Sequence, residues 1–175
     1  MARKKKGLPF VVQPRLQPII EQIGTEASGI IEIERKGYLT VAEKSIVQGG
    51  LKHDTTVRKM YILAARIARE TSVDQSQVGQ DMIKPERPEY LAPYAEDIDE
   101  CVLEMMAFQE RAAIINATAL LMCRIDPNWS VEQTMELHPE LMAELALLYI
   151  EEEKQSTEAL EAAAGADSNG AVEGK

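Results

Sequence analysis

Apolar residues recur every three to four positions along much of the chain, and one long stretch keeps this spacing without a break. From about Tyr94 onward the recurring positions are Ile98, Cys101, Val102, Met105, Phe108, Ala112, Ile115, Ala119 and Met122. This spacing places the residues on one face of an α-helix, so the pattern predicts a long helix. Its second half, residues 112–122, is apolar nearly all round, which predicts that it forms the central buried helix.

A capping box predicts a shorter helix earlier in the chain. Thr40 and Glu43 have the spacing at which a hydroxyl accepts a backbone N–H of the first turn while the later side chain reaches back to the cap. The helix is expected over residues 41–48. Gly49 and Gly50 are expected to stop it.

The segment after the paired glycines predicts one more helix and then a connection. Asp54 or Thr55 caps this helix, which is expected to end near Glu70. Its apolar positions at helical spacing are Val57, Met60, Tyr61, Ala64, Ile67 and Ala68. Residues 71–82 are at best weakly helical, and residues 84–88, with two prolines, read as a linker.

Two further helices are predicted near the end of the chain. Ser130 and Gln133 form a second capping box, which opens a short helix over residues 131–137. Pro139 suits the first turn of a last helix, because its missing N–H has no partner there in any case. This last helix is expected to fray through residues 151–153, where three glutamates follow one another.

The only predicted strand covers residues 30–35. Ile31 and Ile33 would share one face there, with Glu32 and Glu34 on the other. The residues before this strand differ in character. Prolines at near-regular spacing favour an extended segment over residues 1–24, and three isoleucines leave open either a short helical turn or a docking patch; they are Ile19, Ile20 and Ile23.

The composition of the two ends sets the predicted domain organisation. From residue 155 onward Glu, Ala, Gly, Ser and Asn dominate, and such a composition buries too little apolar surface to fold alone. The chain therefore reads as an extended, basic, proline-spaced arm (1–29), a helical domain (30–154) and a disordered acidic tail (155–175). The fold class is mostly α: a compact helical domain with a short N-terminal β segment and that tail.

Charge and hydropathy limit the classes of partner and the cellular compartment that we expect for this protein. The net charge of -10 argues against nucleic acid as the main partner, since that affinity depends largely on Lys and Arg. The basic run at residues 3–6 reads as a solvated terminus or a contact for an acidic partner. No run approaches the roughly 18 apolar residues of a membrane span. With both cysteines on one long helix, an internal disulfide is not expected, and we expect a cytoplasmic protein.

Residues suited to catalysis or to holding a cofactor do not come together in the sequence. His53 and His138 lie in different elements, without Cys or His at metal-ligand spacing. Cys101 and Cys123 fall on the core-facing rhythm, which favours buried structural thiols. The paired carboxylates, among them those at residues 151–153, are interpreted as solvated helix faces. We therefore predict a nonenzymatic protein without catalytic residues, metal or cofactor.

Two features point to a protein partner. Trp129, the only tryptophan, precedes a helix cap, where it serves either to staple the helix or as a partner hot spot. The apolar residues of the proline-spaced arm must also pack, either on the parent domain or on a partner, and the pattern leaves both open. The candidate partner-binding residues are Phe10, Val12, Leu16, Ile19 and Trp129.

Two stretches carry a resemblance to a known family. Residues 31–43 read IEIERKGYLTVAE and residues 124–134 read RIDPNWSVEQT, the latter followed by helices that end in glutamates. Over residues 30–154 the chain resembles the tail assembly chaperones of long-tailed bacteriophages. The resemblance implies a protein that keeps a long helical tape-measure protein soluble, assists polymerisation of the tail-tube protein in the host cytoplasm, and is often also made in a longer, frameshifted form.

Other functions compete with this one. The main alternative is a structural component of a virion or another assembly that uses the N-terminal arm for contacts between subunits. A small enzyme, or a nucleic-acid regulator that binds through residues 3–6, is a third. For the chaperone, the expected partner is a tape-measure or tail-tube protein, with no role for nucleic acid or membrane. The sequence leaves the oligomeric state open.

Overall fold

Helices dominate the computed structural model, which describes residues 19–169. The elements, in chain order, are β1 (Ile19–Thr25), β2 (Gly29–Arg35), α1 (Val41–Leu51), α2 (Thr56–Thr71), α3 (Gln75–Met82), a short 3₁₀ helix (Glu89–Tyr94), α4 (Ala95–Arg124), α5 (Val131–Met135) and α6 (Pro139–Asn169). The predicted fold class, mostly α with a short N-terminal β segment, is confirmed. None of the helices within these residues is long and apolar enough to span a membrane.

The long helix α4 belongs to two apolar cores. The first, which we call the hairpin core, comprises Ile23, Ile33, Leu39, Ala117, Ala119, Leu120, Leu121, Leu141, Leu145, Leu148 and Tyr149. The second, the α2 core, comprises Leu63, Ala64, Ile67, Val78, Met82, Leu91 and Ile98. The start of α4 thus packs on α2, whereas its end packs on the hairpin and α6. The prediction that residues 112–122 lie at the centre of the fold is confirmed for residues 116–121, which are all buried.

The N-terminal strands form an antiparallel hairpin in which Ile23 faces Ile31 and Glu21 faces Ile33. Ile23 and Ile33 are buried, so the predicted inner face of the second strand is confirmed. The helical turn considered for the isoleucines before it is wrong, because they belong to β1. The first described strand, β1, therefore lies within the predicted arm, residues 1–29. This segment forms a strand because it pairs with β2, and its weak local hydrophobic pattern does not reveal that pairing.

Replacing Gly24 by Ala is expected to destabilise the protein more than replacing Gly29 by Ala. Both glycines have positive φ, +94° and +87°, which strains any residue with a Cβ. A Cβ on Gly24 would also lie 2.1 Å from the Gly29 carbonyl oxygen, whereas a Cβ on Gly29 meets nothing within 4 Å. We expect about 1–2 kcal/mol for Gly29→Ala from strain alone. Urea titrations of both variants measure the difference, and equal losses would contradict this account of the turn.

Helix α1 starts as predicted but ends later. The Glu43 N–H donates to Thr40 Oγ1 at 3.2 Å and the Thr40 N–H donates to Glu43 Oε2 at 2.6 Å, which confirms the capping box. The paired glycines do not stop the helix, since it continues to Leu51. Gly50 lies where a Cβ would come within 3.0 Å of the Ile115 side chain. This glycine therefore permits close packing of α1 on α4.

Of two predictions for the middle of the chain, one is partly confirmed and the other is wrong. In the predicted face of α2, Ala64 and Ile67 are buried, whereas Val57 and Tyr61 are exposed; Leu63, which the prediction did not include, is buried too. The segment 71–82 contains a full helix, α3, whose N-cap Asp74 accepts the backbone N–H groups of residues 76 and 77. It has only two apolar side chains, Val78 and Met82, so its hydrophobic pattern is weak even though both are buried and the helix is well capped.

Helix α6 extends well past the predicted fraying point at residues 151–153. Ser156 is buried, and its Oγ accepts the Leu39 N–H at 3.0 Å. This part of α6 packs through polar groups rather than apolar ones, which explains why composition placed the end of the domain at residue 154. Residues 155–169 belong to α6, and the remaining part of the predicted tail, 170–175, lies outside the described residues.

Candidate functional site

Four polar contacts connect α2 and Asp54, two residues before it, to α4 and Tyr94, the residue before it. In order they are Asp54–Arg111 (2.6 Å), Lys59–Glu104 (2.6 Å), Arg66–Asp97 and Glu70–Tyr94 (2.7 Å). Residue numbers rise along one helix and fall along the other, so the two segments run antiparallel. Because most of these groups reach solvent, water screens their attraction. The contacts therefore fix the alignment of the helices more than they stabilise the fold.

A groove of about 350 Å³ lies between the two inner contacts. Its lining residues are Lys59, Ile62, Leu63 and Arg66 from α2, and Asp97, Glu100, Cys101 and Glu104 from α4. On each helix they have the spacing i, i+3, i+4, i+7, which is one continuous face. Leu63 is buried, and Ile62 remains 54 % exposed at the rim. The groove thus combines an apolar surface with charges of both signs.

Two groups in the groove indicate the kind of chemistry that it supports. Burial, with Glu104 and Glu100 nearby, raises the pKa of the Cys101 thiol, so this thiol stays protonated and is a weak nucleophile at neutral pH. Glu104 Oε2 is shielded from solvent and has no hydrogen-bond partner among the described residues. An unsatisfied buried acceptor is costly.

A second polar feature is a buried ionic cluster made of Glu43, Arg124 and Glu152. Arg124 Nε donates to Glu43 Oε1 at 2.6 Å and Arg124 Nη2 donates to Glu152 Oε2 at 2.5 Å. All three side chains are 0 % exposed. The cluster joins the start of α1, the end of α4 and the middle of α6. The prediction that all three glutamates at residues 151–153 are solvated is wrong for Glu152.

Backbone groups complete the ionic cluster. Arg124 Nη1 also donates to the Glu34 carbonyl at 2.7 Å, and Glu152 Oε1 accepts the N–H groups of Lys36 and Gly37 at 2.8 and 3.1 Å. Burial alone would raise the pKa of Glu43, but hydrogen bonds from Arg124 and Thr40 outweigh it and hold that pKa below its ordinary value. The carboxylates of the cluster are hydrogen-bonded and shielded from solvent. The cluster therefore attaches the chain at the end of β2 to helices α1, α4 and α6.

The structure describes two of the five predicted partner-binding residues, Ile19 and Trp129. Phe10, Val12 and Leu16 lie outside the described residues. Ile19 is exposed at the start of β1 and is not part of the hairpin core. Trp129, in contrast, packs against that core and is partly buried.

Trp129 is held beside the second capping box, as the staple interpretation predicts. Its Nε1–H donates to Thr134 Oγ1 at 3.0 Å, and the Ser130–Gln133 box is present. Thr134 is fully buried and also shares a hydrogen bond with Thr118 of α4 at 2.8 Å. These contacts give the tryptophan a structural role, which favours the staple over the partner hot spot.

Replacing Thr134 by Val is expected to lower the free energy of unfolding by about 1–3 kcal/mol, because the buried indole N–H loses its acceptor. Chemical unfolding followed by Trp129 fluorescence measures this directly. Thr157→Val provides a control, since Thr157 is exposed on α6 and bonds only to the Glu153 carbonyl of the preceding turn. Comparable losses in the two variants would contradict the role given to Thr134.

Metal sites and disulfides both require a specific geometry of the side chains that form them. Within residues 19–169 no group of three or more His, Cys, Asp or Glu side chains is placed to hold a metal ion. Cys101 and Cys123 are free thiols on the same helix, as the sequence placed them. Burial also raises the pKa of Cys123.

Sequence reasoning missed the groove although a signal for it exists. Lys59 and Arg66 are seven residues apart on one helix, and Asp97 and Glu104 are seven residues apart on the next long one. Two such rows of opposite charge are typical of helices that lie side by side. The apolar face predicted for α2 included neither Ile62 nor Leu63, so the sequence analysis did not place an apolar surface between these two charged rows.

No protein-family model, no curated protein and no solved structure was found to match this chain.

Proposed function

We propose that the protein is a nonenzymatic tail assembly chaperone that binds a long helical partner, with the α2–α4 groove as its contact site. The observation that carries this proposal is the groove itself, in which an exposed Ile62 and a buried Leu63 lie between charged rims. Grooves between two helices accept amphipathic helices, whose apolar side chains fill the groove while their polar side chains meet the rims.

The sequence supports the same proposal in two ways. Residues 31–43 and 124–134 resemble tail assembly chaperones, for which the partner is a tape-measure protein that must stay soluble until the tail tube forms around it. The net charge of -10 keeps a complex with such an apolar partner soluble. In this proposal the protein acts in the cytoplasm of the host cell.

The groove also suggests what a partner helix carries. An apolar residue would contact Ile62 and Leu63, and a Lys or Arg about one turn away would lie near the exposed carboxylate of Glu100. Exposed methionines on α4 and at the end of α5, Met106 and Met135, offer further adaptable surface outside the groove lining. Such a surface accepts many similar helical repeats in succession, which suits a partner that is long and repetitive.

Affinity purification of the tagged protein from its native host during expression, with mass spectrometry of the eluate and of purified particles, tests the proposal. We expect a much longer, helical protein in the eluate and no copy of this chain in finished particles. A fixed number of copies in the particles would contradict the chaperone and support a structural component. An eluate without a long helical protein would also contradict the chaperone.

A further inference from the structure

The outer face of α6 carries apolar side chains that the described fold leaves exposed. Leu147 is 57 % exposed and Ile150 is 51 % exposed, and their spacing of three residues places them next to each other on the helix. Leu145, Leu148 and Tyr149, on the opposite side, are buried in the hairpin core. The helix is therefore apolar on both sides at this level, although the described residues cover only one of them.

The chain enters the fold beside this face. Ile19, the first described residue, pairs with Arg35 across the hairpin, and Arg35 Nη2 lies 2.6 Å from Glu151 Oε2. Ile19, where the described chain begins, therefore lies near the α6 turn that contains Ile150. Ile19 and Ile20 are themselves exposed and apolar.

Charge is complementary between this end of the chain and α6. Residues 1–18 carry five cations and no acidic residue; the cations are Arg3, Lys4, Lys5, Lys6 and Arg15. Among the α6 side chains described past Ile150, four carboxylates are exposed and Lys154 is the cation; the carboxylates are Glu151, Glu153, Glu158 and Glu161. Opposite charges at this density attract each other at moderate salt concentration and are screened at high salt.

The length of the chain before Ile19 is sufficient for both contacts. An extended chain spans about 3.3 Å per residue, so nine residues separate Phe10 from Ile19 by up to about 30 Å. A helix rises about 1.5 Å per residue, so Leu147 and Glu161 lie about 21 Å apart. Residues 8–16 can therefore reach the apolar pair while residues 3–6 reach the acidic part of α6.

We infer that residues 8–18 pack on Leu147 and Ile150 of the same molecule, and that residues 3–6 pair with the exposed carboxylates of α6. This inference rests on the exposed apolar pair, on the point where the chain enters β1, and on the complementary charges. The occupant is this chain's own N-terminal segment, which covers apolar surface that would otherwise drive association between copies. The inference is independent of the groove, which lies on α2 and α4.

Zero-length carbodiimide cross-linking of the full chain, followed by mass spectrometry, tests this docking. We expect links from Lys4, Lys5 or Lys6 to Glu158 or Glu161. An equimolar mixture of ¹⁴N- and ¹⁵N-labelled protein assigns each link to one molecule or to two. Links within one molecule support the inference. Links mainly between two molecules would overturn it in favour of a second copy, and links spread evenly over exposed carboxylates would overturn it altogether.

Substitutions in the proposed apolar contact test whether the cross-links report docking or only the closeness of two oppositely charged segments. Phe10→Asp and Ile150→Asp leave the linked lysines and glutamates in place, and we expect each to lower the yield of these links at least about fivefold. Ile83→Asp is the matched control, because Ile83 is an exposed isoleucine just after α3, and the yield should not change. Circular dichroism establishes that each variant is folded. Yields unchanged in both test variants would overturn the apolar part of the inference.

Discussion

Replacing Arg124 by Met is expected to lower the free energy of unfolding by about 3–5 kcal/mol at neutral pH, because it leaves buried charges without a counter-ion. Glu43 and Glu152 would both remain fully shielded, each having lost a guanidinium bond of 2.5–2.6 Å. Because the ionic cluster connects α1, α4 and α6, its loss should weaken the packing of the whole hairpin core. Urea-induced unfolding measures the change.

The same substitution should change the contribution of Glu43 to the pH dependence of stability. In the native protein the pKa of Glu43 lies below its ordinary value of 4.5. Its contribution to stability is therefore present above about pH 4.5 and is lost as the pH falls through the lower, folded pKa. Without Arg124, only the hydrogen bonds from Thr40 oppose burial, so the pKa of Glu43 should rise and the variant should lose less stability than the native protein as the pH falls. The difference between the two proteins should thus shrink from pH 7 to pH 4.

Arg111→Met is the matched control for this experiment. Arg111 also bonds a carboxylate at 2.6 Å, that of Asp54, but its side chain is half exposed. We expect a much smaller loss that does not depend on the state of the ionic cluster. Equal losses for the two arginines, or a loss for Arg124→Met that stays constant from pH 7 to pH 4, would contradict the structural role of the cluster.

Replacing Ile62 by Asp is expected to weaken binding of the helical partner by about 30-fold or more. The substitution places a charge among the side chains that line the groove, where an apolar contact is otherwise made, and apolar contacts that anchor a partner often account for about 2 kcal/mol or more. Because Ile62 is more than half exposed, the free energy of unfolding should change by no more than about 0.5 kcal/mol. Surface plasmon resonance with the co-purified partner measures the affinity.

Val57→Asp separates a groove effect from a general effect of added charge. Val57 lies on the same helix and is 57 % exposed, but it does not line the groove. We expect its partner affinity to stay within about twofold of the unsubstituted protein. Partner affinity that survives Ile62→Asp, or that falls equally in both variants, would show that the partner binds elsewhere.

Local chemistry in the sequence predicts much of the fold. The two capping boxes, at Thr40 and Ser130, start helices where expected, because a cap is a contact between near neighbours and is visible in sequence. The long apolar rhythm likewise predicts α4. By the same reasoning Asp74 could have been identified as the cap of α3, but the helix has too few apolar residues for its pattern to stand out.

The features that sequence analysis missed depend on contacts between distant residues. β1 needs β2 as its partner, and Gly50 is tolerated within α1 because Ile115 of α4 packs against it. Glu152 looks like its exposed neighbours until Arg124 is placed beside it, 28 residues away. The groove follows the same rule: its helices are recognisable one at a time, whereas their antiparallel pairing is not.

Photo-cross-linking in the native host tests the central claim most directly. A photoreactive amino acid is introduced at position 62 in one variant and at position 57 in another, and cells are irradiated during expression. The account predicts a covalent adduct with one long helical protein from position 62 and little or none from position 57. The absence of such an adduct at position 62, or equal adducts from both positions, would contradict it.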